Sequence, residues 1–102
     1  MYAQMCIYLL VSYEWDPAKV RANFEKHGIH FADAATALED DFALTVRDPF
    51  SEDEGRWITL GKDAAGRLLV VVYKWRGDHA HLISARLATP REMSQYEEHH
   101  ET

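Results

Sequence analysis

Residues 67–75, RLLVVVYKW, are the stretch of sequence that decides the fold. They form a continuous apolar run rich in valine and aromatic residues, which favour β-strands. A run that is apolar along its whole length is typical of a strand at the centre of a sheet. We therefore predict that residues 67–75 form a central strand.

Short polar segments place another strand on each side of this one. Residues 56–61, RWITLG, read as a strand and are joined to the central strand by the turn KDAAG at 62–66. On the other side, the turn Arg76-Gly77-Asp78 leads into a strand at 80–86, AHLISAR. Turns of this length join antiparallel neighbours. This half of the chain is therefore predicted to be an antiparallel meander.

The first helix has clear signals at both ends. Asp16 is predicted to be the N-cap residue and Pro17 the first helical residue, a position where proline is favoured. The helix should run to about His27, because Gly28 can adopt the left-handed conformation that ends many helices.

The remaining elements complete the predicted fold. A second helix is expected at 31–39, strands at 6–13 and 43–47, and a C-terminal helix that follows Thr89. Thr89, Pro90 and Glu92 form the pattern of a capping box. The predicted order is β-α-α-β-β-β-α, which makes the fold class α+β, with about four antiparallel strands and the helices packed on one face.

Length and composition limit the class of protein. The chain has 102 residues, a single-domain length, so we expect one domain over 1–102. Its formal net charge is −6, which argues against a non-specific nucleic-acid binder. One cysteine gives no disulfide framework. The apolar start is too short to cross a bilayer and lacks a basic region. We expect a cytoplasmic protein with no membrane association.

The face of the sheet without helices is where we expect a ligand. Period-two alternation along the last strand puts one set of residues on each side. The set expected to pack on the helices is His81, Ile83 and Ala85, and the set expected on the open face is Leu82, Ser84 and Arg86.

Arginines mark the ends of three predicted strands. Arg56, Arg76 and Arg86 can meet at one end of a meander and form a cationic cluster. Guanidinium groups are permanently charged and offer forked donors to phosphate oxygens. Cations held at a phosphate also stabilise the charge that develops during RNA cleavage. His27, at the end of a cationic helix, is a candidate general acid or base.

Structural explanations exist for each of these residues. Arginines at strand ends are commonly solvated or salt-bridged, and His27 can serve only to pack or cap its helix. Lys19 and Lys26 can form a solvated helix face. His99 and His100 match no known metal-ligand spacing, so no metal or other cofactor is expected.

Several short motifs, taken in order, resemble the BrnT family. They span roughly residues 13–97 and comprise Glu14-Trp15-Asp16, Lys19, Asn23, Lys26-His27-Gly28, Phe31, Ala34, Glu54-Gly55-Arg56, Gly61, Arg76-Gly77, Ile83 to Thr89, Arg91-Glu92 and Tyr96. Each motif is short, and their joint order and spacing carry the resemblance.

The resemblance implies a toxin of a bacterial type II toxin–antitoxin module. Its fold would be RelE-like, its activity metal-independent RNA cleavage that arrests translation, and its partners RNA and a BrnA-like ribbon-helix-helix antitoxin. Operator DNA would be bound only through that antitoxin. The implied catalytic residues are Lys26, His27, Arg56, Arg76 and Arg86, and the implied RNA-binding residues are Lys19 and Tyr73.

Two alternatives to the enzyme remain open. A binding module can keep the fold and the antitoxin interface without cleaving RNA, and the acidic net charge is compatible with it. A small structural domain would have no antitoxin partner. On the leading hypothesis, the first helix supplies one cationic wall of an RNA cleft and the strand-end arginines supply the other.

Overall fold

The computed structural model describes residues 3–6, 12–53 and 55–100, without the side chains of 3–6 and His100. Three helices and six strands form in these residues. The helices are α1 Pro17–His27, α2 Phe31–Ala37 and α3 Pro90–His100. The strands are β1 Ala3–Cys6, β2 Ser12–Trp15, β3 Leu44–Arg47, β4 Arg56–Lys62, β5 Leu68–Arg76 and β6 His79–Leu87.

The sheet is mixed, with the order β1-β2-β6-β5-β4-β3. The α+β class and the meander of β4, β5 and β6 are confirmed. The prediction of about four antiparallel strands is wrong, because β2 pairs with β6 in parallel and β1 adds a sixth strand. A long connection through both helices separates β2 from β6, so no local turn signal reveals their direction. Residues 7–11 of the predicted first strand lie outside the described residues.

Helices cover both faces of the sheet, which corrects the prediction that they share one. On one face, α2 packs over Leu69 and Val71. On the other, Tyr96 of α3 packs with Leu60 and Val70. The reason is the apolar run of β5, which alternates between the two faces and needs cover on each. We call these the α2 face and the α3 face.

The helix α3 covers only one end of the α3 face of the sheet. Tyr96 lies over Val70, whereas β5 continues to Arg76, about 20 Å further along at the usual strand rise. The far end of the α3 face therefore carries polar side chains instead of packed apolar ones.

A β-bulge in β6 exchanges the predicted sides of His81 and Leu82, whereas Ser84, Ala85 and Arg86 alternate as predicted. Ser84 lies opposite Val72 and Leu82 opposite Tyr73, so Ile83 is the extra residue. A bulge shifts the alternation by one residue. As a result His81 shares the α3 face with Ser84, while Leu82 and Ala85 pack in the core of the α2 face. The predicted grouping of His81 with Ala85 is wrong for this reason.

Asn23 of α1 takes the place of a strand beside β6. The pairing of β2 with β6 ends at Trp15 and Leu82, which leaves the backbone of Ala85 without a strand on the side away from β5. Asn23 Oδ1 accepts from Ala85 N at 3.0 Å, and Asn23 Nδ2 donates to Ala85 O at 2.9 Å. Nδ2 also donates to Ile29 O at 2.9 Å, and Asn23 is buried. One amide therefore fixes α1 against the sheet.

The predicted helix ends of α1 are confirmed. Asp16 Oδ1 accepts from Ala18 N at 2.9 Å, and Gly28, with φ of 72°, donates its N–H to Phe24 O. The contact of Asp16 fixes where α1 begins, and the contact of Gly28 fixes where it ends.

The capping box of α3 is also confirmed, and it holds an ion pair. Glu92 N donates to Thr89 Oγ1, and Thr89 N donates to Glu92 Oε1 at 2.8 Å. Arg86 then binds both oxygens of Glu92, at 2.8 and 3.0 Å. Hydrogen bonding from Arg86 lowers the pKa of Glu92 to about 2, against a burial effect in the opposite direction. This pair fastens the start of α3 to β6.

Replacing Asn23 by Ala should be strongly destabilising. The change leaves the N–H and C=O of Ala85 and the C=O of Ile29 without partners in a buried place. We expect a loss of about 3 kcal/mol in the free energy of unfolding, measured by urea denaturation. Gln95→Ala removes an exposed amide from α3 and should change the same quantity by less than about 0.5 kcal/mol. Equal stability of the two variants would contradict this role for Asn23.

The Arg86–Glu92 pair should make stability depend on pH below 5. Because the folded-state pKa of Glu92 is depressed from 4.5 to about 2, its contribution is complete above about pH 5 and is lost as pH falls toward 2. Arg86 is 41% exposed, so screening limits the expected contribution to about 1–2 kcal/mol. Urea denaturation of Glu92→Gln should show this deficit at pH 7 and none at pH 2. Glu97→Gln, at an exposed α3 position, should match wild type at both pH values.

Candidate nucleic-acid interface

Five polar residues lie together where α3 leaves the sheet uncovered. Strand register aligns four of them in a row across the sheet, because Arg56 lies opposite Lys74, Lys74 opposite His81, and His81 opposite Glu14. Adjacent strands are about 4.8 Å apart, so the row is compact. Arg76 follows two residues after Lys74 on the same face of β5. We call Glu14, Arg56, Lys74, Arg76 and His81 the polar patch.

The carboxylate of Glu14 binds two basic side chains of the polar patch. Its Oε1 lies 3.2 Å from His81 Nδ1 and 3.8 Å from Arg76 Nη1. The side chain of Glu14 is 15% exposed and that of Arg76 is 47% exposed. Arg76 is thus held at one end by a carboxylate while much of its side chain remains open to a ligand.

The buried imidazole of His81 is neutral near pH 7. Burial lowers the pKa of His81 below its usual 6.5, and the charges of Arg76 and Lys19 act in the same direction. The charge and hydrogen bond of Glu14 oppose them. Since a carboxylate only accepts hydrogen bonds, the bond to Glu14 requires the proton of the neutral ring to be on Nδ1.

A second feature, the α1 groove, adjoins the polar patch. It is an open groove of about 240 Å³ between α1 and β6, and its lining residues are Lys19, Ala22, Asn23, Lys26, His27, Ile83 and Ser84. Lys19, Lys26 and His27 recur at helical spacing and so lie along one side of α1. Lys19 lines this groove, and its positive charge also lowers the pKa of His81 in the polar patch. The groove and the polar patch are therefore neighbours.

Two of the three predicted arginines come together, and the third does not. Arg56 and Arg76 both lie in the polar patch, as predicted. Arg86 lies opposite Val70, about 20 Å along β5 from Arg76, and is bound by Glu92. The prediction of a single three-arginine cluster is therefore wrong, because Arg86 sits at the opposite end of the meander.

Arg56 differs from its neighbour Lys74 in its hydrogen bonding. Lys74 Nζ donates to Asp53 at 2.6 Å, which lowers the pKa of that carboxyl group. Arg56 Nε is buried and has no acceptor among the residues that the structure describes. A buried donor without an acceptor is unfavourable, so the structure does not satisfy every donor of Arg56.

Tyr73 lies on the opposite side of the sheet from the polar patch. Its side chain is 5% exposed in the core of the α2 face, and its hydroxyl is hydrogen-bonded to Thr59 Oγ1 at 2.9 Å. Alternation along β5 explains this placement, since Tyr73 follows Val71 by two residues and not Val72. Tyr73 is a core residue here and does not line the α1 groove.

Sequence reasoning missed Glu14, Lys74 and His81 as members of the site. Glu14 opens the motif that precedes α1, but the parallel pairing that brings it to His81 has no local signal. Unbroken period-two alternation along β6 predicts His81 on the helix-packed side. The bulge at Ile83 has no proline or glycine beside it to reveal it.

The patch and the groove offer cations, an imidazole and a carboxylate. In the ranges 12–53 and 55–99, no group of His, Cys, Asp and Glu is placed to hold a metal ion. Nor do the described helices include one with the length and apolar character needed to cross a membrane. Such a surface can bind phosphate and can support proton transfer and charge stabilisation.

Comparisons with known proteins identify the family of this chain. Residues 15–92 match the model of a family described as the ribonuclease toxin BrnT of type II toxin–antitoxin systems. The 1.1 Å crystal structure of the Brucella abortus ribonuclease toxin BrnT is similar, with a TM-score of 0.57 and 28% sequence identity over 74% of this chain and 92% of that one. No curated protein matches significantly. The chain belongs to the BrnT family of ribonuclease toxins of type II toxin–antitoxin systems.

Proposed function

We propose that this chain is a metal-independent endoribonuclease that arrests translation by cleaving RNA at the polar patch. Membership of the family supports ribonuclease activity. The observation that carries the proposal for this chain is Arg76, whose guanidinium is paired with Glu14, the carboxylate that also binds His81, while about half of its side chain stays exposed.

Phosphate binding follows from the arrangement of cations. Lys19 and Lys26 line the α1 groove, and Arg56 and Arg76 lie in the patch beside it. An RNA strand in the groove would place successive phosphates along this path. The guanidinium groups of these two arginines offer forked donors to phosphate oxygens. The local surface is cationic although the whole chain is acidic.

The proposed reaction is attack of a ribose 2′-oxygen on the adjacent phosphorus. The new P–O2′ bond forms as the P–O5′ bond breaks, which gives a 2′,3′-cyclic phosphate and a 5′-hydroxyl end. The proton leaves the 2′-hydroxyl for a base, and another proton reaches the departing 5′-oxygen. Arg76 would stabilise the extra negative charge on the phosphoryl oxygens at the moment when it is largest.

The other residues divide between orientation and proton transfer. Glu14 orients Arg76 through their ion pair, and His81 acts through Glu14, whose carboxylate it binds. His27 is the proposed proton-transfer group, because it lies in the same groove as Lys19 and Lys26. Arg86 is a positioning residue in this scheme and acts through its bond to the start of α3.

The family also implies an antitoxin partner. We propose that it is a BrnA-like ribbon-helix-helix protein that neutralises the toxin, and that operator DNA is bound only through it. The acidic net charge of this chain favours such indirect DNA binding.

Replacing Arg76 by Ala should abolish toxicity without unfolding the protein. We expect growth arrest on induced expression of wild type and none with Arg76→Ala. Cleavage of total RNA by the purified protein, in buffer with EDTA, should fall by about 100-fold or more. Arg91→Ala removes an exposed arginine from α3 and should retain both effects. Folding of each variant is checked by thermal denaturation.

Three results would contradict all or part of the proposal. Full RNA cleavage by Arg76→Ala would remove the polar patch from the reaction. Absence of cleavage by folded wild type would favour a binding module that keeps only the antitoxin interface. Cleavage by wild type that disappears in EDTA would contradict metal independence alone.

A further inference from the structure

The negative charge of this chain comes from one segment. Residues 39–54 contain seven carboxylates and one arginine, so this segment alone has a formal charge of −6. The rest of the chain has ten acidic and ten basic residues and is balanced. The negative charge, which is unfavourable for RNA binding, is therefore confined to residues 39–54.

This acidic segment forms one edge of the sheet. Its centre is β3, the last strand in the sheet order, and no described strand pairs with the outer side of β3. The open edge lies at the other end of the sheet order from β2, which supplies Glu14 to the polar patch. An unpaired strand edge is a ready template for another strand.

Exposed apolar side chains accompany the open edge. In β3, Val46 is 57% exposed, and in the turns on either side Phe42 and Phe50 are 60% and 95% exposed. Beside them, an apolar groove of about 210 Å³ is lined by Leu44, Val46, Ile58, Leu60 and Val70, with two polar residues of α3 at its rim. Apolar surface of this kind beside an edge strand marks an interaction site.

Charge decides what can bind there. RNA is a polyanion and would be repelled by a segment with a charge of −6. A second copy pairing through its own β3 would bring two such segments together, which is unfavourable for the same reason. An extended polypeptide that carries lysines or arginines would be attracted, and its alternate apolar side chains can enter the groove.

We propose that the β3 edge binds an extended, basic and apolar segment of the antitoxin, which adds to the sheet as a seventh strand. The inference rests on the antitoxin pairing in the proposed function and not on RNA cleavage. It assigns two surfaces of one sheet, a cationic one to RNA and an acidic one to the protein partner, which meet at the ion pair of Lys74 with Asp53.

Variants at the edge test the proposal with a purified BrnA-like ribbon-helix-helix antitoxin as the probe. Val46→Lys places a cation in the apolar groove, and Glu52→Lys reverses one exposed charge. The matched control is Leu87→Lys, because Leu87 is a strand residue of similar exposure, 54%, outside the acidic segment. Affinity is measured by calorimetry at two salt concentrations, and hydrogen exchange is followed at residues 44–47 with and without antitoxin.

We expect Val46→Lys to weaken antitoxin binding at least tenfold and Leu87→Lys to leave it unchanged. Glu52→Lys should reduce the salt dependence of binding, and the amides of 44–47 should exchange more slowly in the wild-type complex. Unchanged affinity in both edge variants, with no added protection at 44–47, would overturn the inference. If wild type does not cleave RNA but the binding results are as expected, the enzyme proposal is overturned and the proposal for the β3 edge is supported.

Discussion

The structure depends on one buried amide. Asn23 binds both the N–H and the C=O of Ala85, so that a side chain substitutes for the strand that β6 lacks beyond Leu82. The same amide holds Ile29 at the start of the segment leading to α2. Because α1 is fixed in this way, Lys19, Lys26 and His27 face β6 across a groove instead of pointing elsewhere into solvent. The cationic surface is a consequence of that attachment.

Charge is divided between two regions of the molecule. Cations from α1 line the α1 groove, and those from β4 and β5 lie in the polar patch, where Glu14 binds both Arg76 and the neutral His81. Carboxylates are concentrated in the segment around β3, at the far edge of the sheet. The net charge of the chain is the sum over these regions and does not predict what binds to either of them. Partner preference follows from the local surfaces.

Sequence reasoning succeeded where the deciding interactions are local. Asp16 and Gly28 set the ends of α1, and Thr89 and Glu92 form a capping box, all between residues close in sequence. It failed where the deciding contacts join distant residues. The parallel pairing that brings Glu14 to His81 spans most of the chain, and the bulge at Ile83 is visible only in the register of β6 against β5. Family resemblance pointed to Arg56 and Arg76 but could not reveal that Glu92 holds Arg86 elsewhere.

The most direct test of this account is a titration with an RNA oligonucleotide that cannot be cleaved, observed by NMR. A 2′-O-methyl RNA lacks the attacking hydroxyl, so binding is measured without reaction. The account predicts that backbone amide signals shift along the α1 groove and the polar patch, at Lys19, Lys26, His27, Ser84 and Arg76, and that β3 is unaffected. Shifts centred on residues 42–50, or on the exposed face of α3, would contradict it.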